Sequence, residues 1–139
     1  MRYFLIAMLW MLICAAPAVT SESAGVGQAG NIVMDGYRQF IDSCAFCHGV
    51  DGKGQGEAVN MLSAQPTNLR LLSKNNDGVF PLEYLYYSID GRDDLTAHGS
   101  GEMPEWGDLW ERGVPPEFSQ AYVRSRIFQI IMYLNSIQE

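Results

Sequence analysis

The feature that most limits what this chain can be is the run Cys44-Ala45-Phe46-Cys47-His48. Two cysteines three apart on one helical turn lie on nearly the same side, and an imidazole follows directly. A thioredoxin-like redox pair has its cysteines at a helix start after a strand, whereas here an apolar helical stripe precedes them. A disulfide across so short a loop contributes little by restricting the unfolded chain. Zinc asks for more ligands than these, and adjacent Cys47 and His48 are awkward to aim at one ion. Of the chain's three cysteines, Cys14 falls in a leader expected to be removed, so the two that remain act together.

What the pattern does fit is covalent attachment of a c-type haem. Both sulfurs reach the two vinyl groups of one porphyrin and form thioethers, which makes Cys44 and Cys47 the expected cofactor-binding residues. His48 is then held beneath the iron as its proximal axial ligand. The chain has one such motif, so one covalently attached haem c, with its iron, is expected per chain.

The other axial position decides the chemistry. Met103 lies in Gly99-Ser100-Gly101-Glu102-Met103-Pro104-Glu105-Trp106-Gly107, where glycines let the backbone approach a flat ligand and Pro104 stiffens the turn after the sulfur. Met34 and Met132 sit in helical patterns where packing explains them, and Met61 follows the attachment motif too closely to reach round. Met103 is the expected distal axial ligand. His98, the only other histidine, is the alternative, and a second imidazole would lower the reduction potential.

Residues 1–18 read as a secretory signal: Arg2, an uncharged run, then Ala16-Pro17-Ala18, with Ala24 as a later possible cut. The run is shorter than a bilayer-spanning helix and Pro17 interrupts it, so no stable membrane insertion is expected after cleavage. The mature chain is expected outside the cytoplasm, in the periplasm or otherwise exported. Residues 19–30 are small and polar and read as a flexible arm, leaving 31–139 as one domain. Asn31 is placed to cap a first helix carrying Val33, Tyr37, Phe40, Ile41 and Cys44, and Gly49 to Gly56 form a loop. Pro81 opens a short helix that Gly91 stops, and Pro115-Pro116 precede a long last helix with Val123, Ile127, Ile130, Ile131, Leu134 and Ile137 on one face. No segment keeps a strand's alternation, so the fold class is all-α, helices joined by long loops around the haem. A formal charge of -7 disfavours nucleic acid and anionic membranes and favours a protein partner with a basic docking surface. Asp90, Asp93 and Asp94 lack calcium-loop spacing and read as a solvated turn.

On these residues the chain resembles the class I c-type cytochromes, and looks most like the small bacterial monohaem members. The resemblance runs over about residues 34–138 and rests on Gly36 and Phe40, the attachment motif, Gly52/Gly54/Gly56, Met103-Pro104 with Trp106, and Tyr133. It implies that the first and last helices cross at Gly36 with Phe40 against Tyr133. It implies a proline carbonyl on the other histidine nitrogen, with Pro66 the nearest candidate, and Trp106, Arg92 or Arg112 on the haem propionates. The function implied is that of an electron carrier and not an enzyme. A haem subunit of a periplasmic oxidoreductase and a gas-binding haem protein are the alternatives.

Overall fold

The computed structural model describes residues 24–92 and 103–139, with side chains of the first helix from residue 31 onward. The proposed signal of residues 1–18 and His98, Asp93 and Asp94 therefore lie outside the described residues. Five helices are present among the described residues: α1 (Ala24–Ser43), α2 (Ala45–His48), α3 (Leu82–Asp90), α4 (Trp106–Glu111) and α5 (Pro116–Ser136). Short 3-10 turns at Glu57–Met61, Leu69–Leu71 and Lys74–Asn76 join α2 to α3, and no described residue is in a strand. This is the all-α architecture that the sequence leads one to expect.

The first and last helices form the frame. They meet at Gly36, where an added Cβ would collide with the Gln129 carbonyl and come within 2.9 Å of the Tyr133 Cβ. Only a residue without a side chain lets the two backbones come this close. One turn further on, fully buried Phe40 sets its ring 5.2 Å from that of Tyr133, and Tyr37 meets the same ring edge-on at 5.4 Å. Val123, Ile127, Ile130, Ile131 and Leu134 are all buried on one face of α5, joined by Leu85 and Ile89 from α3 and Trp110 from α4. The periodicity of α5 thus reports its core face.

Helix ends follow local chemistry. Pro116 occupies the first turn of α5, where its missing N–H leaves no bond unmade. Gly91 ends α3 in the left-handed region at φ 73°, with its N–H on the Tyr87 carbonyl at 2.9 Å. Pro81 stands just ahead of α3, whose Leu82 is exposed while Leu85 and Ile89 are buried. The first helix differs more: it begins at Ala24, so Asn31 is inside it instead of capping it. No proline stands between Ser21 and Asn31 to stop the helix extending upstream, and glycine weakens a helix without forbidding it.

The C-terminus is fastened to the centre of the chain. The Gln138 amide donates to the Leu69 carbonyl at 2.8 Å and accepts from the Ser73 N–H at 2.9 Å, while the Glu139 N–H reaches the Arg70 carbonyl at 2.9 Å. An Arg70–Glu139 ion pair of 2.7 Å adds to this. The end of α5 thereby holds the turn that follows the glycine loop. Among the described residues, no helix is long and apolar enough to cross a membrane.

Candidate haem centre

At Ser43 the chain breaks from α1 and re-enters helix as α2, with the N–H groups of Cys47 and His48 both on the Cys44 carbonyl, at 3.2 and 2.9 Å. This closes Cys44, Cys47 and His48 into one turn. Cys44 is buried, Cys47 is partly exposed, and neither is in a disulfide. Burial, reinforced by the Cys47 thiol, pushes the Cys44 thiol up to about 12 against the lowering influence of Arg126. The inner thiol is therefore a neutral group. The outer one remains within reach of solvent.

The glycine loop folds back on this turn. The Gly54 N–H donates to the His48 carbonyl at 2.7 Å, the Gly56 N–H to the Cys47 carbonyl at 3.1 Å, and the Leu69 N–H to the Gly52 carbonyl at 2.8 Å. Gly54 has φ 80°, and a Cβ there would collide with the Pro66 carbonyl oxygen. Both its conformation and its surroundings exclude a side chain. The result brings the Thr67 carbonyl to 3.1 Å from His48 Nδ1. Thr67 thus takes the part that the resemblance gives to Pro66, one residue earlier. The Pro66 carbonyl faces Gly54 instead, because the Leu69–Gly52 bond sets how the strap lies across the loop.

This contact has a chemical consequence. A carbonyl accepts and cannot donate, so His48 Nδ1 is the donor, and in the neutral imidazole Nε2 then carries the lone pair that a metal requires. Two thiols on one turn with an imidazole in this tautomer form a donor set suited to a covalently attached porphyrin.

The Met103 segment is assembled differently. Met103 is half-buried against the core cluster that contains Cys44, and the chain turns at Pro104 into α4. Trp106 and Trp110 stack with ring centroids 5.2 Å apart, and the Arg126 guanidinium lies 4.5 Å over Trp110. Met103, Pro104 and Leu109 line an open depression together with Glu105, Asp108 and Arg112. Met61 and Met34 are exposed.

Arg92 and Asp90 correct the sequence reading. Asp90 is buried, not a solvated turn. Arg92 forks onto both its carboxylate oxygens, through Nε and, at 2.9 Å, through Nη2, and its Nη1 reaches Glu111 at 2.7 Å. These partners hold the guanidinium in its charged form. Arg92 thus directs three of its five N–H groups to two carboxylates. Arg112 is exposed and Trp106 half-buried. Sequence reasoning missed the Thr67 carbonyl and the Asp90–Arg92–Glu111 group. An Arg next to a helix-stopping glycine, with an acid just before it, is the only signal for the latter.

The helical frame, the attachment turn and the oriented imidazole define a haem-binding protein of the all-α electron-transfer class. The family model described as cytochrome c matches residues 33–108, more than half of the chain, and this chain belongs to the cytochrome c family. No curated protein and no solved structure matches it. Membership brings covalently attached haem c with iron and a role in electron transfer. The match stops before α5, yet the Gly36–Tyr133 crossing ties α5 to the matched region.

Proposed function

We propose that this protein is an exported, periplasmic monohaem electron carrier, with thioethers at Cys44 and Cys47, His48 as the proximal ligand and Met103 as the distal one. The observation that carries the ligand reading is the His48 Nδ1 contact with the Thr67 carbonyl, which leaves Nε2 as the coordinating nitrogen. Haem c supplies a one-electron ferric/ferrous couple. The protein's own residues hold it in register. Cys44 anchors it inside the core, Cys47 at the surface, and His48 is kept from rotating by the Thr67 strap. Met103 brings a thioether from a half-buried position stiffened by Pro104. With both axial positions filled by side chains, no site is left for a substrate. Residues 1–18 act as the export signal and are removed.

Its partner carries a basic docking surface. Residues 83–117 contain nine carboxylates and two arginines, so the whole of the chain's net charge of -7 lies in this one stretch. The rest balances, seven of each sign.

Visible spectroscopy of the exported protein tests the ligand set. The pyridine haemochrome is expected to show one haem with two thioethers. The ferric protein is expected to show the weak near-red sulfur-to-iron band, which Met103→Ala removes. A band that survives this substitution and disappears in His98→Ala transfers the distal role to His98. Rapid carbon monoxide binding by the reduced parent at neutral pH would mean the iron is not held by two side chains.

A further inference from the structure

We propose that Arg92 is a positioning residue for Met103: with Asp90 and Glu111 it forms a clasp that holds the end of α3 to α4 and so fixes the segment that carries the distal sulfur. The inference rests on the reading of Met103 as an axial ligand. Asp90 is the last residue of α3, Arg92 follows the capping Gly91, and Glu111 is the last residue of α4. The fork onto Asp90 and the 2.7 Å bond to Glu111 therefore tie together two helix ends that lie on either side of Met103 in sequence.

The packing around the clasp is tight enough to pass on its position. A Cβ on Gly107 would collide with Asp90 Oδ1 and Arg92 Nε, so the first turn of α4 lies directly on the ion pair. A Cβ on Gly91 would come within 2.9 Å of the Glu105 Cα, two residues after Met103. The cap of α3 thus touches backbone at Glu105, and the ion pair touches backbone at Gly107. Between them they leave Glu105 to Gly107, the stretch that begins two residues after Met103, little freedom to shift as a unit. Asp90 is buried and Arg92 largely so, which makes the pair costly to break and hard for water to replace. Glu111 is more exposed and adds the third contact.

A weak thioether ligand makes this measurable. Methionine stays on iron because its backbone keeps it there, and an added imidazole competes for the same position. Any loosening of the segment lets imidazole in more easily. Imidazole titration of the ferric holoprotein, followed by loss of the near-red band, reads this directly. Arg92→Gln is expected to bind imidazole about tenfold more tightly than the parent. Glu111→Gln, which leaves the buried Asp90–Arg92 pair in place, is expected to do so about threefold and keeps the test open if Arg92→Gln does not yield holoprotein. Ile131→Val in the α1–α5 core is expected to lower the melting temperature with imidazole binding unchanged.

Unchanged imidazole affinity in both clasp variants overturns the proposal. So does an equal gain in Ile131→Val at the same loss of stability, because that is general loosening. A parent without the near-red band removes the Met103 reading and the clasp with it. A parent that has the band and clasp variants that bind imidazole as the parent does remove the clasp alone.

Discussion

Residues 44–69 and the described parts of residues 82–112 hold the two sides of the candidate site by different means. The first segment is fastened mainly by backbone: Gly54 to His48, Gly56 to Cys47, Leu69 to Gly52, and the Thr67 carbonyl to the histidine. The second depends on side chains, with the Asp90–Arg92–Glu111 clasp, the Trp106–Trp110 stack and Arg126 over Trp110. Backbone bonds are set by chain conformation and are insensitive to side-chain identity, except where a side chain must be absent. Ion pairs and stacks require particular partners. The histidine side should therefore be rigid and intolerant of added atoms. The methionine side should respond in degrees to charge and packing.

The largest expected effect is on the histidine side. Gly54→Ala has to place a methyl group where the Pro66 carbonyl lies, at a backbone φ of 80° that L side chains rarely adopt. A loss of about 3 kcal/mol or more is expected, measured by guanidinium unfolding of the holoprotein. The same change at Gly78, which has φ 82° but open space around it, isolates the conformational share and should cost about 1 kcal/mol. Equal losses at the two sites would mean that the close approach to the Pro66 carbonyl contributes nothing, and the contrast in rigidity would fail.

The same division separates what was legible in the sequence from what was not. The attachment turn, the stop at Gly91 and the apolar face of α5 were readable, because each depends on local spacing or on a residue type with one physical use. The crossing of Gly36 with Tyr133, by contrast, came from the family resemblance alone. The Thr67 carbonyl was missed by one residue because a backbone carbonyl leaves no mark in the sequence. Its direction depends on the Leu69–Gly52 bond. The clasp was missed because Arg92 and Glu111 are 19 residues apart, and a run of acids beside an arginine looks like a solvated turn until burial is known. The latch of Gln138 onto Leu69 and Ser73 was missed for the same reason, being a contact 69 and 65 residues long in sequence.

Charge sharpens the comparison at a smaller scale. With the net charge confined to residues 83–117, a cationic reagent should be drawn to the methionine side. Reduction of the ferric protein by hexaammineruthenium(II), itself a cation, at low ionic strength serves as the probe. Replacing both Glu105 and Asp108, which line the depression beside Met103, by Gln and Asn should slow it about threefold, and added salt should remove the difference. Replacing Asp51 in the glycine loop and Glu57 just after it should change it by less than about twofold. If the two pairs slow the reaction equally, the field belongs to the molecule as a whole and not to one side.

The smallest expected effect concerns two tyrosines, Tyr133 of α5 packed on the first helix and Tyr86 of α3 beside the clasp. Burial raises the Tyr133 phenol above its ordinary value of 10, and the neighbouring Tyr37 adds to this against Arg70. Burial also raises Tyr86, with the clasp's Asp90 the next contributor and Arg124 and Arg92 opposing. In both cases the folded chain keeps the proton to higher pH than the unfolded chain does. Their contribution to stability is therefore complete below pH 10 and is lost as pH rises through the folded value. Unfolding midpoints at pH 8 and pH 11 should differ less in Tyr133→Phe and in Tyr86→Phe than in the parent, because phenylalanine has no proton to release. Combining each with Arg92→Gln separates the sides. Removing the Arg92 charge leaves Asp90 unopposed, so the Tyr86 share of the alkaline loss should grow while the Tyr133 share stays as it was. If both shares change together, the clasp and the histidine side are coupled more closely than their separate modes of construction imply.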